Sequence, residues 1–260
     1  RPIGHMPLPK QSAPASFADA FNTGIPPYEA PPFCVIVSSS QMQEVQMIIA
    51  LSGADQALFP ELFEQSSRLR HRVFVEEMGW EDLRRPDGRE FDQFDDEHAV
   101  HHFCVRDGVV VGYQRMLSTM RPNLLSDVFP ELCEGAPPHD PRIWELTRYC
   151  VAPEFRDGRR GVSTVGSELI AGFVEWGMSC GVTSVIIEFE PMWVLRAMQL
   201  QFFARPLGYQ CKIGNQQIVA TQVSFTQKTI DTIRSFRGHH TPVTELWGRL
   251  GETMPMATAV

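Results

Sequence analysis

The chain has 260 residues, with 23 Lys and Arg against 31 Asp and Glu for a formal net charge of -8. That acid excess argues against the basic footprint that neutralises nucleic-acid phosphates, and against a surface that holds anionic lipid. No apolar run approaches the roughly 20 residues that span a bilayer, so no membrane partner is expected.

The length admits one sizeable core or two small domains, and no composition shift divides it, so one α/β core with extensions is the simpler reading. An acidic chain still suits a cationic ligand, or an acidic carrier met through a local basic patch. The six cysteines, Cys34, Cys104, Cys133, Cys150, Cys180 and Cys211, are scattered without a CxxC pair. In runs such as HHFCV and RYCV they read as buried free thiols, which implies a reducing, cytoplasmic setting.

RPIGHM lacks a leader methionine and ends in a dipeptide typical of cloning junctions, so residues 1–5 read as a cloning remnant and Met6 as the natural start. Residues 6–32 are rich in Pro, Ser and Ala and read as an extended arm. FCVIVSS, from Phe33, is a strand candidate. Within residues 41–78, Leu58, Leu62, Leu69 and Phe74 recur at helical spacing, with an interruption at Pro60 and an end before Gly79. Arg70 and Phe74, four apart, share a helical face.

EDLRRPDGREFDQFDDEHA follows Trp80 as a polar, carboxylate-rich loop. It is either a solvated acidic loop or one in which Phe91 and Phe94 anchor the chain while Asp92 and Asp95 face a cavity. His98, His101 and His102 lie nearby, but their spacing with the acids matches no defensible metal motif, and no metal is expected. HHFCVRDGVVVGYQRML predicts a hairpin turning at Asp107-Gly108. Arg115 shares parity with Val111 and Tyr113, and a charge in that company points to a partner or ligand. PNLLSDVFPEL predicts a short helical excursion.

IWELTRYCV, from Ile143 to Val151, sets Glu145 and Arg148 inside a β-forming run. Neither charge is buried cheaply without a partner, so they form either a structural ion pair or the wall of a polar site. Residues three apart on a regular strand face opposite sides. Both serve one pocket only if a bulge or twist re-aims one of them.

RDGRRGVSTVGSELIAGFVEWGMSCG is a glycine-containing loop feeding a helix whose core face is Val162, Val165, Leu169, Phe173 and Trp176. Gly161 at its start offers N–H groups to a pyrophosphate or pantetheine amide. VTSVIIEFE is a strand, WVLRAMQLQFFARPLG a helix ending before Gly208, IVATQVSF a strand and KTIDTIRSF a terminal helix, followed by a loosely attached tail. The element order predicts an α/β mixed sheet flanked by helices. The expected organisation is remnant and arm over 1–32, one domain over 33–236 and a tail over 237–260.

The segments LRHRVFVEEMGWE, FDQFD, VVGYQRMLSTMRPNLLSDVFPEL and PRIWELTRYCVAP, in that order, resemble the acyl-homoserine-lactone synthases, the autoinducer synthases of bacterial quorum sensing. The resemblance runs from about Phe33 to Phe236 and is densest between Leu69 and Pro153. The family pattern is filled at Arg70, Phe74, Trp80, Asp92, Asp95, Arg115, Glu145 and Arg148. It implies a GNAT-like fold with a V-shaped cleft in the central sheet that admits a thioester arm. It also implies transfer of an acyl group from acyl-carrier protein or acyl-CoA to the amine of S-adenosylmethionine, a substrate and not a tightly bound cofactor. Lactone closure then releases methylthioadenosine.

By this resemblance Arg70, Phe74 and Trp80 close over S-adenosylmethionine, while Asp92 and Asp95 hold its ammonium or order Arg70. The same charged positions also suit a structural network knitting loop to sheet. Glu145 accepts the amine proton, Arg115 or Arg148 orients polar groups, and a backbone N–H between Arg148 and Val151 stabilises the oxyanion. Cys150 has no His partner and is not expected to be a nucleophile. The chain departs from the family in giving no clear CoA signature in RDGRRGVSTVG. It also departs at Glu188, Phe189, Glu190 and Trp193, a bulky or charged lining that would shorten the acyl cavity or favour an unusual acyl group. Arg156, Arg159 and Arg160 form either a docking patch for an acidic carrier or a solvated turn. Two other functions stay open: a GNAT-type N-acyltransferase using acyl-CoA and another amine, or a non-catalytic binder of acyl-carrier protein or ligand.

Overall fold

The computed structural model describes residues 47–156, 163–238 and 240–253. The expectations for the arm, the strand from Phe33, Arg159, Arg160, Gly161 and Val162 lie outside the described residues.

Nine strands are described: β1 (Met47–Ser52), β2 (Val100–Arg106), β3 (Val109–Ser118), β4 (Ile143–Val151), β5 (Ser184–Phe189), β6 (Phe203–Pro206), β7 (Cys211–Ile213), β8 (Gln216–Ser224) and β9 (Thr244–Leu246). Their order is β6-β8-β5-β4-β3-β2-β1-β9, with β7 paired to β8. Only β4–β5 and β1–β9 are parallel. The helices are α1 (Pro60–Arg70), α2 (Leu124–Asp127), α3 (Thr164–Ser179), α4 (Met192–Gln199), α5 (Gln227–Arg237) and α6 (Gly248–Thr253).

Both faces of the sheet are covered. On one, Leu62 and Leu69 of α1, with Val73 and Phe74 of the π-helical turn His71–Glu77, pack on Ile49, Phe103, Val110, Tyr113 and Cys150. On the other, Val165 and Leu169 of α3 pack on Ile48, Cys104 and Val111, while Phe173 and Trp176 join Val185, Val223 and Ile230. Each fully buried side chain of this size contributes about 1.5–3 kcal/mol, so the faces of α1 and α3 fix the sheet between them. α3 comes so close at Gly112 that a Cβ there would lie 2.7 Å from Val165 Cγ1.

Pro60 begins α1 and does not interrupt it, because its fixed φ and missing N–H suit a first helical position. Leu58 accordingly lies outside the helix, exposed. The hairpin turns where expected, with Asp107 at φ 49° and Gly108 at φ 76°. A register shift after Cys104 sets an extra residue, Val111, into β3. Val111 therefore faces α3, while Tyr113 faces α1, contrary to simple parity.

The helix expected to end just before Gly208 stops at Gln199. Gln201 turns at φ 65°, and Phe203–Pro206 form an edge strand on β8. The expected loose tail is also corrected. β9 pairs with β1 through Ile48↔Thr244, Ile49↔Glu245 and Ala50↔Leu246, and Glu175 of α3 accepts the N–H groups of Val243 and Thr244 at 2.9 and 3.1 Å.

The pairing of β4 with β5 is short. It runs Ile143↔Ser184, Trp144↔Val185 and Glu145↔Ile186 and then ends, although β4 continues to Val151 and β5 to Phe189. The ladder between the two strands ends at Glu145. No described helix is long and apolar enough to cross a membrane.

Candidate active site

β4 carries the bulge that its charges require. Arg115 pairs with Thr147 and Tyr113 with Cys150, so Arg148 and Tyr149 together oppose the single residue Gln114. Arg148 sits at φ 55° and turns its guanidinium to Asp92, Nη2 to Oδ2 at 2.7 Å. Asp92 is also the carboxylate that Arg115 holds, at 2.6 and 3.1 Å. Glu145 and Arg148 do not pair with each other.

Three arginines and three acids form one buried network. Arg70 of α1 meets Glu90 at 2.5 Å and both oxygens of Asp95 at 2.8 Å. Arg115 of β3 bridges Asp92 and Asp95, the latter at 2.8 Å, and Arg148 of β4 bridges Asp92 and Glu90, the latter at 3.2 Å. Burial alone would raise the Asp95 carboxyl, but Arg115 and Arg70 outweigh it and hold that acid well below its ordinary value. Asp92 is lowered in the same sense, burial being outweighed by Arg115 and Arg148. Tyr113 accepts from Arg70 at 3.4 Å and meets His101 Nδ1 at 2.7 Å. Burial depresses His101 to about 3, so it is neutral at neutral pH.

Each expected member except Trp80 is buried or nearly so, and all but Glu145 contact this network directly. Glu90, fully buried, is the member that sequence reading missed. It precedes Asp92 by two in REFDQFD, the same alternation that singled out the aspartates, but beside Arg89 it reads as loop charge. Of the two aromatics expected to anchor the loop, Phe94 is buried, whereas Phe91 is exposed with Arg85 stacked 3.7 Å from its ring centroid.

Phe74 and Trp80 stack at 5.0 Å and 18°, and Arg148 Cζ lies 5.7 and 5.9 Å from their ring centroids. Gly79, at φ 71°, bends the chain so that the Trp80 N–H donates to Phe74 O at 2.9 Å. Trp80 keeps 38% of its surface exposed, which leaves the indole an accessible face.

Glu145 is fully buried and feels the charge of Arg115. Its Oε1 accepts the Leu125 N–H at 2.6 Å and its Oε2 the Leu124 N–H at 2.9 Å. Asn123 and Ser126 cap each other at the start of α2 and fix those amides. Burial pushes the Glu145 carboxyl up to about 7, against the pull of the two amides and Arg115. Burial and Glu145 itself raise Glu188, two residues beyond the last β4–β5 pair, well above its ordinary value.

The remaining expected residues lie apart from the network. Phe189 pairs with Val219 on β8, and Glu190 leads into α4, its carbonyl accepting the Trp193 N–H at 2.9 Å. Arg156 is engaged, donating to both oxygens of Glu77 and to Val151 O. Cys150 is buried with its thiol pushed up to about 12, which keeps it protonated and inert. Among the described residues no group of three His, Cys, Asp or Glu side chains is arranged to hold a metal ion, and the five described cysteines are free.

A mixed sheet covered by helices on both faces, with the β4–β5 pairing ending beside a buried carboxyl raised to about 7, frames this site. The autoinducer synthase profile matches residues 56–227. Isovaleryl-homoserine lactone synthase of Bradyrhizobium diazoefficiens is 38% identical over 189 residues, 72% of this chain and 84% of its own. Among solved structures, the CoA-dependent acyl-homoserine lactone synthase BjaI, with SAM and isopentyl-CoA, superposes with a TM-score of 0.73 at 36% identity, over 79% of this chain and 95% of its own. The CoA-dependent synthase MesI gives 0.69 at 29% identity, over 76% and 98%. The chain belongs to the autoinducer synthase family. It is an acyl-homoserine-lactone synthase, an acyltransferase.

Proposed function

We propose that the acyl group arrives on coenzyme A, and that the opening between β4 and β5 is the V-shaped cleft that receives the thioester arm. The observation that carries this reading is the end of β4–β5 pairing at Glu145, which leaves β4 beyond it without a strand partner on that side among the described residues. Backbone N–H groups there are the donors proposed to meet the oxyanion. The names of two similar structures, both CoA-dependent, support the donor.

S-adenosylmethionine lies against the accessible face of Trp80 and the Phe74–Arg148 stack. Asp92, Asp95 and Glu90 order Arg70, Arg115 and Arg148, because each acid is already paired with an arginine and has little charge left for the ammonium. Glu145 takes a proton from the ammonium, and the neutral amine attacks the thioester carbon. The N–C bond forms, the C–S bond breaks and the sulfur leaves as thiol. The substrate carboxylate then attacks the carbon next to the sulfonium. A C–O bond closes the lactone as the C–S bond to methylthioadenosine breaks.

Phe189 and Trp193 are bulky, and with the isovaleryl relative they support a short acyl chain. The test supplies S-adenosylmethionine with a panel of acyl-CoA and acyl-carrier thioesters and detects lactone and methylthioadenosine by mass. Short-chain acyl-CoA is expected to give both products fastest. Product from carrier thioesters alone would overturn the donor, and preference for long chains the acyl assignment.

A further inference from the structure

Glu145 and Glu188 are two acids at one point in the sheet. Glu145 pairs in register with Ile186, and Glu188 lies two residues further along β5, on the face that Ile186 presents to Leu125 and Leu132. The two carboxyls are neighbours, each shifting the ionisation of the other. Two carboxyls so placed can hydrogen bond to each other only when one of them carries a proton, since an ionised carboxylate has nothing to donate. The backbone favours Glu145 as the charged member: it receives two amide N–H groups, at 2.6 and 2.9 Å, against the single backbone N–H, its own, that Glu188 receives. Oε1 of Glu188 is buried without a hydrogen-bond partner. An acid kept for structure alone would have both oxygens satisfied.

We propose that Glu188 is a positioning residue for acyl transfer: its carboxyl shares one proton with Glu145 where the β4–β5 ladder ends, keeping Glu145 the charged and aimed member of the pair. This rests on Glu145 being the base. The shared proton is not consumed. Glu145 takes one proton from the ammonium, the nitrogen attacks the thioester carbon, and a second nitrogen proton goes to the departing thiolate. Glu145 then gives its proton to solvent, and the pair returns to one proton.

The charged and titratable groups around the pair are few. Arg115 approaches from β3, the Leu124 and Leu125 amides from α2, and the Cys133 thiol from the segment after the turn Pro130–Leu132. Burial and Glu188 push that thiol up. In the singly protonated pair Glu188 donates and Glu145 accepts. Once the second proton leaves, the two charges repel and turnover falls on the alkaline side.

The test compares wild type, Glu188→Gln and Glu145→Gln. Gln at position 188 still donates but cannot ionise, so kcat should drop about threefold to tenfold, as for loss of part of a positioned hydrogen bond, while the alkaline fall disappears. The infrared difference between wild type and E188Q at neutral pH should contain a protonated-carboxyl C=O band. In wild type alone that band should bleach on alkaline titration, a readout that needs no variant. Superimposable pH profiles, or no such band, overturn the proposal. E145Q decides the underlying reading separately. Full turnover there removes the base role, whereas loss of turnover with an unaltered E188Q profile and spectrum overturns only the shared proton.

Discussion

Arg148 reaches Asp92 at 2.7 Å from a backbone held at φ 55°, a left-handed conformation in the middle of a strand. For a side chain with a Cβ that conformation costs about 1–2 kcal/mol, which the ion pair and the bulge offset. Replacing Arg148 by Ala removes the pair and keeps the strain. Replacing it by Gly removes both. R148G is expected to be more stable than R148A by about 1 kcal/mol in urea titrations, with both poorly active. Equal midpoints would show that the bulge is unstrained.

Glu145 must be ionised to accept a proton, and burial raises its carboxyl to about 7. Activity should therefore rise as pH passes upward through that value and fall away below it. Glu145→Gln should lower kcat by about 10²- to 10⁴-fold, the range for a lost general base, and should abolish that acid limb. Initial rates of methylthioadenosine release between mildly acid and mildly alkaline pH would measure both.

Asp95 and Asp92 carry the opposite sign. Their folded values are lowered, so the stability they contribute is present above the ordinary carboxylate range and is lost as pH falls through the depressed values. Acid unfolding of the wild type should steepen in that window, and Asp95→Asn should flatten it. At neutral pH the same substitution leaves Arg70 and Arg115 short of a partner, and a loss of about 3–5 kcal/mol is expected. Urea midpoints at two pH values would test this, and an unchanged midpoint at neutral pH would contradict it.

Trp80 is packed on one face only, so its truncation should harm binding more than folding. Trp80→Ala is expected to raise the KM for S-adenosylmethionine about fivefold, equivalent to about 1 kcal/mol of ring–cation contact, with Trp80→Phe recovering most of it. A melting temperature near that of the wild type would separate the two effects.

The site was legible in sequence where charge sat against pattern. Glu145 and Arg148 interrupt a β-forming run, which calls for a bulge or twist if both serve one pocket, and Asp92 and Asp95 alternate with aromatics. Glu90 was hidden because a lone acid beside Arg89 carries no contradiction. β1 escaped because MIIALS is buried on both faces and shows no alternation. β6 escaped because Phe203–Pro206 continue a helical spacing that the turn at Gln201 breaks. The Glu145–Glu188 pair belongs to the parallel meeting of two strands whose partners, such as Glu145 and Ile186, are 41 residues apart, which no local window contains.

The pairing of β9 with β1 shields what would otherwise be a bare outer margin of the sheet. Cutting the chain after α5 would uncover N–H and C=O groups of Ile48–Ala50, part of a buried apolar ribbon able to recruit the same ribbon from another molecule. Shortened versions of this enzyme should precipitate or self-associate before they lose their chemistry.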